Sequence, residues 1–414
     1  MSRTVHVIGA GLAGLAAGVR LAARGVRVSV HEAASQAGGR CRSYHDPALD
    51  MLIDNGNHLI LSGNRAALGY LAMIDAAEKL AGPKHAEFAF VDLATGERWV
   101  LLIGDGRFPW WVFDKSRRVP GTKAADYLAL VRLLWTPRDK TICAATKCAG
   151  LLYDRLARPL WVAALNTSPH EASVRLAAVV TRESLGRGGK ACRPLIAHDG
   201  LGKAFVDPAL QFLRARNVPV TFGHRLRALA FGQGKVLALN FGEDTVALGE
   251  NDSVILAVPP VVANELVPSL VTPTEFRAIV NAHFRIDPPP SLAPIVGIVN
   301  GTMEWLFSFR HRLSVTISCA DRLLDVPREI LAKRIWQEVA MVAGLPDTMP
   351  PWQIVRERRA TFAATPAQNA RRPGVATAWK NLLLAGDWTD TGLPATIEGA
   401  VRSGNRSADL AARV

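Results

Sequence analysis

Long apolar runs and grouped metal ligands are both missing from this chain of 414 residues. No stretch reaches about 18 uninterrupted apolar residues, so the sequence predicts no transmembrane helix. The ten histidines are scattered, without H-E-x-x-H or a similar ligand spacing. We therefore predict no metal site either.

Cysteine is scarce, and no two cysteines form a C-x-x-C motif. The five residues are Cys41, Cys143, Cys148, Cys192 and Cys319. An odd number without paired spacing is typical of reduced thiols in a cytoplasm, rather than of a disulfide framework or a zinc site. We therefore expect a cytoplasmic protein with free thiols.

Acidic residues are too few to balance the basic ones. Lys and Arg number 49 against 36 Asp and Glu, which gives a net charge of +13. Such an excess fits nucleic acid, an anionic membrane surface or an anionic substrate as the partner. No signature of a nucleic-acid-binding module accompanies the charge, so we expect no nucleic acid partner.

The segment 98–161 holds twelve Lys and Arg against five Asp, together with five of the ten tryptophans. Two interpretations stay open: a solvated basic face over buried tryptophans, and an interfacial contact with a membrane. The stretch "GRFPWWVFDKSRR" at 106–118 suits the second interpretation. Its aromatic residues would lie at the lipid interface and its basic residues would meet anionic headgroups, namely Trp110, Trp111, Phe113, Lys115, Arg117 and Arg118.

Near the N-terminus, Gly9, Gly11 and Gly14 have the spacing G-x-G-x-x-G. Alternating apolar residues predict a strand over 4–8, and the pattern after the glycines predicts a helix over 13–24. In this arrangement the first glycine makes a tight turn, the second lets a pyrophosphate approach the backbone, and the third lets the helix pack on the strand.

A second strand, predicted over 26–30, ends just before Glu32. A carboxylate at that point can accept both hydrogen bonds of a ribose diol, so the unit predicts a dinucleotide site at a helix N-terminus. A secretory signal peptide is the alternative, since Arg3 precedes an apolar run. The run contains His6 and the next strand continues the same unit, so we expect no signal peptide.

Changes of texture along the chain predict an α/β fold with a discontinuous Rossmann-like nucleotide-binding domain and an inserted α+β substrate domain. The segment 63–195 is expected to be mostly helical. The nucleotide-binding domain is assigned 1–62, 196–262 and 371–414, and the substrate domain 63–195 and 263–370.

A second glycine pair, Gly38-Gly39, precedes Arg40 and points to a flavin, because a further exposed backbone turn suits a larger cofactor. Here the sequence resembles the FAD-dependent amine oxidase and carotenoid desaturase superfamily. "DSVILAVPP" at 252–260 and "LLLAGDWTDTGLPATIEGAVRSG" at 382–404 are similar to its later flavin motifs. The resemblance implies non-covalent FAD on these residues: Gly9, Gly11, Leu12, Ala13, Gly14, Glu32, Gly38, Gly39, Arg40, Leu226, Gly386, Asp387, Thr396, Ile397 and Glu398.

Within the superfamily, three stretches resemble the hydroxysqualene dehydroxylases. They are "DNGNHLILSGN" at 54–64, "RPLWVAALNTSPHEAS" at 158–173 and "GLPATIEGAVRSG" at 392–404. The resemblance implies that reduced flavin removes the hydroxyl of hydroxysqualene to give squalene, in bacterial hopanoid synthesis. A substrate of this kind implies peripheral contact with the inner face of the cytoplasmic membrane.

Loss of a hydroxyl needs an acid near the leaving oxygen. The candidates beside the flavin motifs are His58, Asp390 and Asp54. Each has a structural alternative. His58 could be hydrogen-bonded to the backbone and the flavin, Asp390 could cap the region of the last helix, and Asp54 could be a turn carboxylate.

Two other functions stay open: an amine oxidase-like or carotenoid desaturase-like flavoenzyme, and a non-catalytic prenyl-lipid carrier. The sequence shows no second G-x-G-x-x-G, so the electrons come from an external donor of unknown identity or from direct NAD(P)H access that the sequence does not display. The oligomeric state is open.

Overall fold

A computed structural model of the chain describes residues 3–135 and 140–413. Its strands are β1 Thr4–Ile8, β2 Arg27–His31, β3 Ser43–Asp46, β4 Met51–Asp54, β5 Ile60–Leu61, β6 Leu80–Ala81, β7 Ala86–Asp92, β8 Arg98–Ile103, β9 Pro194–Ala197, β10 Val220–Thr221, β11 Ala228–Gly232, β12 Lys235–Asn240, β13 Thr245–Ala247, β14 Ser253–Leu256, β15 Phe276–Arg285, β16 Ile295–Val299, β17 Trp305–Phe309, β18 Arg312–Ile317, β19 Trp352–Phe362 and β20 Leu382–Leu384. Its α-helices are α1 Leu12–Ala22, α2 Arg65–Met73, α3 Leu128–Arg132, α4 Ile142–Ala145, α5 Arg158–Leu165, α6 Val174–Glu183, α7 Asp207–Arg214, α8 Pro260–Leu266, α9 Arg328–Ala343, α10 Pro366–Ala370 and α11 Ile397–Ala411.

A five-stranded parallel sheet joins strands from distant parts of the sequence, in the order β10-β2-β1-β14-β20. Val7 in β1 pairs with Val30 in β2 and with Ile255 in β14. One face of this sheet packs on α1, α7 and α11, and the other face packs on a three-stranded sheet of β11, β12 and β13. Because both faces are buried, the strands are rich in branched apolar residues. All carboxyl ends lie at one edge, which is where ligands bind in such sheets.

A seven-stranded sheet has the order β19-β15-β18-β17-β16-β7-β8 and is antiparallel except where β16 pairs with β7. Helix α9 packs on one face through Leu331, Ile335 and Val339, which are fully buried. Strands β7 and β8 come from the segment that we expected to be mostly helical, so that expectation is wrong for 86–103. A hairpin in this segment extends a sheet whose other strands lie beyond residue 270, which local patterning does not reveal.

The two sheets and their helices confirm the predicted α/β fold class. The strands of the parallel sheet fall in the three segments assigned to the nucleotide-binding domain, and the seven-stranded sheet draws on the two segments assigned to the substrate domain. The domain boundaries themselves stay predictions.

Cys143 and Cys148 form a disulfide, so the expectation of five free thiols is wrong for this pair. The amide of Thr146 donates to the carbonyl of Ile142 at 2.8 Å, which turns the chain back after α4. This turn leaves the two Cα atoms 5.2 Å apart, within the range that a disulfide spans. Cys41, Cys192 and Cys319 are free.

Candidate functional site

The first glycine loop joins β1 to α1 and has its glycines where the packing requires them. Gly9 has a φ of +105°, and a Cβ there would lie 2.4 Å from the carbonyl oxygen of Ala257. A Cβ on Gly14 would lie 1.9 Å from the carbonyl oxygen of Gly9. These two glycines therefore allow the loop to pack on β14 and on itself.

Gly11 is different, because a Cβ there would meet nothing within 4 Å. Its φ of −68° is also open to any residue. No steric contact within the described chain therefore requires glycine at this position. The open surface lies at the N-terminus of α1, whose first turn has no side-chain cap. Its free N–H groups and helix dipole favour a negatively charged ligand such as a pyrophosphate.

Glu32 follows β2 and holds the loop around this surface. Its Oε2 accepts a hydrogen bond from the amide of Ala10 at 2.7 Å, and its Oε1 accepts one from the amide of Ala34 at 2.8 Å. The carboxylate therefore orders the backbone on both sides, and it keeps lone pairs for a ribose diol. The sequence predicted only the second role.

The second glycine turn lies directly against the first loop. Gly38 has a φ of +104° and Gly39 one of +54°. The amide of Gly38 donates to the carbonyl of Ala10 at 2.9 Å, and Gly38 also forms a parallel bridge with Gly11. Two glycine motifs that lie 27 residues apart in the sequence thus form one exposed backbone surface.

Arg40 connects this surface to the C-terminal motif. Its Nη2 donates to Oδ1 of Asp387 at 2.7 Å, and its Nη1 donates to the carbonyl of Ala360 at 2.5 Å. Asp387 is buried, and its negative charge raises the pKa of Arg40 above the usual value. The guanidinium of Arg40 therefore stays charged at neutral pH.

The C-terminal motif runs from β20 into α11. A Cβ on Gly386 would lie 2.4 Å from Nε1 of Trp388, so the turn admits only glycine. The hydroxyl of Thr396 accepts a hydrogen bond from the amide of Gly399 at 3.0 Å and caps α11. The cap uses the amide of Gly399, so the amides of Ile397 and Glu398 in the first turn can face a ligand that gains negative charge.

Glu398 is one of the residues predicted to bind the cofactor, but its side chain is hydrogen-bonded to other parts of the protein. The carboxylate accepts hydrogen bonds from the amides of Ala66 at 3.1 Å and Ala67 at 2.8 Å, in the first turn of α2. It also pairs with Arg402 at 2.8 Å. Only the backbone of Glu398 is therefore left for a cofactor.

Leu226 lies in the segment that follows β10 and is 7% exposed. The amide of His224 donates to the carbonyl of Glu32 at 2.8 Å, and the amide of Gly223 donates to that of Ala34 at 3.0 Å. These bonds hold the segment of Leu226 beside the end of β2, next to the carboxylate predicted to bind the ribose.

Among the candidate acids, His58 lies near the ion pair of Arg40 and Asp387. Burial lowers its pKa to about 4; Asp54 raises it and Arg40 lowers it further. The imidazole is therefore neutral at pH 7. The neutral imidazole can donate one hydrogen bond, but only a small fraction is in the protonated form that could act as an acid.

Asp54 has a structural role in the described chain. It is 2% exposed and accepts hydrogen bonds from the hydroxyl of Ser43 at 2.5 Å and the amide of Leu201 at 2.8 Å. The guanidinium of Arg312 lies 3.5 Å away. Asp54 therefore joins β3 to Leu201 and Arg312, which is a structural role.

Asp390 lies in the turn after Asp387 and is half-buried, whereas Asp54 is buried. It pairs with Arg175 at 3.6 Å and accepts a hydrogen bond from the amide of Gly392 at 3.2 Å. No hydrogen bond joins it to His58 in the described chain. The structure thus places Asp390 in the C-terminal motif, apart from the Arg40 pair.

Glu304, just before β17, is a proton-carrying group that the sequence analysis missed. Its carboxyl accepts a hydrogen bond from the amide of Ser318 at 2.8 Å, and burial raises its pKa to about 7. Nothing in the stretch "GTMEW" signals this, because burial arises from strands that are distant in sequence.

Asn57 was also missed, although it lies inside the predicted stretch 54–64. Its Nδ2 donates to Oγ1 of Thr316 at 3.1 Å, and that hydroxyl donates to Oδ1 of Asn281 at 2.8 Å. These buried bonds fix the segment before His58 on β15 and β18, so they join the cofactor side to the seven-stranded sheet.

The basic segment 98–161 divides its tryptophans between core and surface. Trp99, Trp111 and Trp161 are buried, whereas Trp110 is 69% exposed and Trp135 is 77% exposed. The first interpretation thus holds for the buried tryptophans, and the interfacial contact stays a prediction for the exposed residues. The interfacial role predicted for Trp111 is wrong, because it is 5% exposed and packs edge-on against Tyr127 at 5.3 Å. Part of the segment, 136–139, lies outside the described residues.

Trp110 forms an exposed aromatic cluster with Phe108 and Phe113. The ring of Trp110 lies 4.3 Å from that of Phe108 and 6.0 Å from that of Phe113. Lys115 beside the cluster is exposed, and Arg117 and Arg118 are half-buried. Among the described residues, no helix is both long and apolar enough to cross a bilayer.

A family model for flavin containing amine oxidoreductases matches residues 12–412 of the chain. The hydroxysqualene dehydroxylase of Rhodopseudomonas palustris is 60% identical over 411 residues, which cover 99% of this chain and 98% of that protein. The hydroxysqualene dehydroxylase of Sinorhizobium fredii is 55% identical, with 99% of both chains covered. Cyclohexylamine oxidase from Brevibacterium oxydans has a similar fold, with a TM-score of 0.74 at 15% identity, covering 100% of this chain and 99% of that one.

Proposed function

Because this chain belongs to the flavin containing amine oxidoreductase family and, within it, to the hydroxysqualene dehydroxylases, we propose that it reduces hydroxysqualene to squalene. Relatives of that name match it over nearly their whole length. The structural observation that carries the proposal is the continuous site formed by both glycine loops, the Arg40–Asp387 pair and the start of α11.

The cofactor is FAD, and the residues present fit it. The surface over Gly11 is open although the protein itself would tolerate a side chain there. The uncapped first turn of α1 suits a pyrophosphate, and Glu32 beside it suits a ribose. Leu12, Ala13 and Gly14 would contribute the amides of that turn.

Hydroxysqualene gains a hydride and a proton and loses water when it becomes squalene. When bound, reduced FAD supplies the hydride. The chain has to hold the allylic carbon against the cofactor, exclude water and provide the proton for the leaving hydroxyl. The neutral imidazole of His58 can donate a hydrogen bond to that hydroxyl. Glu304 donates its amide to the carbonyl of Thr316 at 3.4 Å, and Thr316 is hydrogen-bonded to Asn57 next to His58, so Glu304, with a pKa of about 7, is our candidate for storing the proton.

A single-turnover experiment tests this function. The purified holoprotein is reduced without oxygen and mixed with hydroxysqualene, while flavin absorbance and squalene are followed together. We expect one squalene for each flavin that is reoxidised, and no reoxidation with squalene as the control. An oxidised holoprotein that is instead reduced by an amine or a carotenoid precursor would favour the related oxidases and desaturases.

We further propose that the exposed cluster of Phe108, Trp110 and Phe113 contacts the inner face of the cytoplasmic membrane. A C30 isoprenoid has little solubility in water, since each buried carbon contributes about 0.8 kcal/mol to its transfer into lipid. A protein that docks at the bilayer avoids moving this substrate through water. The neighbouring basic side chains suit an anionic surface.

A further inference from the structure

Arg372 is a buried arginine that follows α10, and its contacts converge on one turn. Its Nε donates to the carbonyl of Trp388 at 3.3 Å. Its Nη2 donates to the carbonyl of Asp387 at 3.1 Å and also to that of Thr389. Three consecutive carbonyls of the C-terminal flavin motif therefore point at a single guanidinium, which is 6% exposed.

Two side chains complete the hydrogen bonding of this guanidinium. Nη1 donates to Oδ1 of Asn369 at 3.1 Å, and Nη2 lies 3.2 Å from Oγ1 of Thr391. The charge also lies 4.8 Å from the centre of the Phe362 ring. The planar fork of arginine suits such a set of neutral acceptors, which a lysine ammonium could not all reach.

The positive charge of Arg372 has no carboxylate directly opposite it. Within the described ranges, no acidic oxygen lies within 4.0 Å of it, and the Asp387 carboxylate pairs with Arg40 instead. Burial lowers the pKa of Arg372 to about 10, while Asp390 and Asp387 act to raise it. Arg372 therefore stays charged at pH 7, with only part of its charge offset by more distant acids.

Helix α11 holds the turn from its other side. The amide of Gly386 donates to the hydroxyl of Ser403 at 3.0 Å, and the hydroxyls of Thr389 and Ser403 lie 2.7 Å apart. The turn is thus fixed between α11 and Arg372, so that its conformation depends on both.

We propose that Arg372 is the positioning residue of the C-terminal flavin turn and that its charge makes the bound flavin easier to reduce. This inference rests on the proposed FAD site, but not on hydroxysqualene as the substrate. With the turn fixed, the Asp387 carboxylate keeps its pair with Arg40. A buried cation next to the turn stabilises the reduced flavin, which carries more negative charge than the oxidised form.

The experiment compares Arg372→Lys and Arg372→Gln with Arg371→Gln, each as purified holoprotein. Arg371 is the matched control because it is exposed and its side chain, among the described residues, donates to the carbonyl of Thr272 at 2.9 Å and not to the flavin turn. The readouts are FAD content, the rate of FAD release and the midpoint potential of the bound flavin. None of them requires the substrate.

We expect Arg372→Lys to release FAD at least tenfold faster, with a potential close to that of the parent. In Arg372→Gln, the affinity for reduced flavin relative to oxidised flavin should also fall by about tenfold. This change corresponds to a midpoint potential that is lower by about 30 mV for two electrons. The control should match the parent in all three readouts.

Two results would overturn the inference. If both Arg372 variants release FAD at the rate of the parent, the residue does not position the turn. If the lysine and glutamine variants have the same potential, the charge has no effect on the flavin and the role is structural only. Should Arg372→Gln not fold, the release rate of Arg372→Lys still decides the positioning role, and a parent-like rate refutes it. A parent that binds FAD but does not convert hydroxysqualene would refute the substrate alone.

Discussion

Nη2 of Arg40 lies 2.7 Å from Oδ1 of Asp387, although 347 residues separate them. The pair joins the second glycine turn to the C-terminal motif, so both halves of the flavin site share one ion pair. Asp387 also presents its carbonyl to Arg372, which leaves it held from two directions. The site is therefore assembled only when the first and last segments of the chain have folded together.

The glycine at position 11 gives the first prediction. Gly11→Val should yield folded but colourless protein, because the new side chain enters the open space over α1 where the pyrophosphate passes. Flavin absorbance and thermal unfolding of the purified protein measure this. Gly69→Val is the control, since a Cβ on this exposed helical glycine also meets nothing within 4 Å. A yellow Gly11→Val protein with a full complement of FAD would refute the placement.

The cofactor motifs could be predicted because their signals are local. The spacing of Gly9, Gly11 and Gly14 shows which backbone positions lack a side chain. The structure gives a steric reason for Gly9 and Gly14, and leaves open space over Gly11. Arg372 could not be predicted in this way. Its burial and its three carbonyl partners depend on how the segment after α10 packs against a turn that begins 15 residues after Arg372. In the sequence alone, "NARRPG" resembles an exposed basic stretch.

The neighbours Trp110 and Trp111 show a second feature that could not be predicted from the sequence. The sequence predicted both at a membrane interface, but the structure forms a 3-10 turn over Trp110–Phe113. Since this turn has three residues per turn, Trp110 and Phe113 lie on one side and Trp111 on another. The aromatic composition was informative, whereas the division between core and surface depended on a short turn that no periodic pattern signals.

The second prediction concerns the residue that hydrogen-bonds the leaving hydroxyl. His58→Ala should keep FAD but slow substrate-dependent flavin reoxidation by about 10²–10⁴-fold, because the hydroxyl loses its hydrogen-bond donor. Asp390→Asn should have a smaller effect, since Asp390 is engaged by Arg175 and Gly392. Asp54→Asn should lower stability, as its contacts are structural. Normal turnover of His58→Ala would remove it from the mechanism.

The pH profile of the same reaction separates His58 from Glu304 as the proton store. The pKa of His58 is about 4, so a rate that depends on its protonated form falls tenfold per pH unit above about 4. The pKa of Glu304 is about 7, so dependence on that group leaves the rate flat up to about pH 7 and lets it fall only above. We expect the second profile, and Glu304→Gln should abolish its alkaline decline. A decline that persists in Glu304→Gln would contradict this assignment.

The third prediction is a loss of stability in mild acid. Burial lowers the pKa of His31 to about 4 and that of His283 to about 3. The unfolded chain binds protons at these sites near pH 6.5, so it holds more protons than the folded chain below that pH. Stability is therefore full above pH 6.5 and falls as the pH drops towards 4, by up to about 3 kcal/mol for His31.

Urea unfolding at a series of pH values between 7.5 and 4.5 measures this effect. His31→Gln should be less stable at pH 7.5, because His31 hydrogen-bonds Ser29 and His224, but its stability should depend less on pH. The exposed His198 provides the control, and His198→Gln should keep the slope of the parent. Equal slopes in all three proteins would show that His31 does not cause the acid sensitivity.

The last prediction is that the aromatic cluster docks on anionic membranes. Trp110→Ala with Phe113→Ala should leave the fold intact, since both side chains are more than 60% exposed, and should largely abolish co-sedimentation with anionic vesicles. Salt should weaken binding by the parent, because each basic residue near the surface contributes about 1 kcal/mol that ions screen.

Trp111→Ala should instead destabilise the protein by about 3–5 kcal/mol, as expected for a buried tryptophan. Phe222, which is 39% exposed and far from this segment in sequence, serves as the control, and Phe222→Ala should bind like the parent. If the double variant binds vesicles as well as the parent does, the docking surface lies elsewhere on the protein.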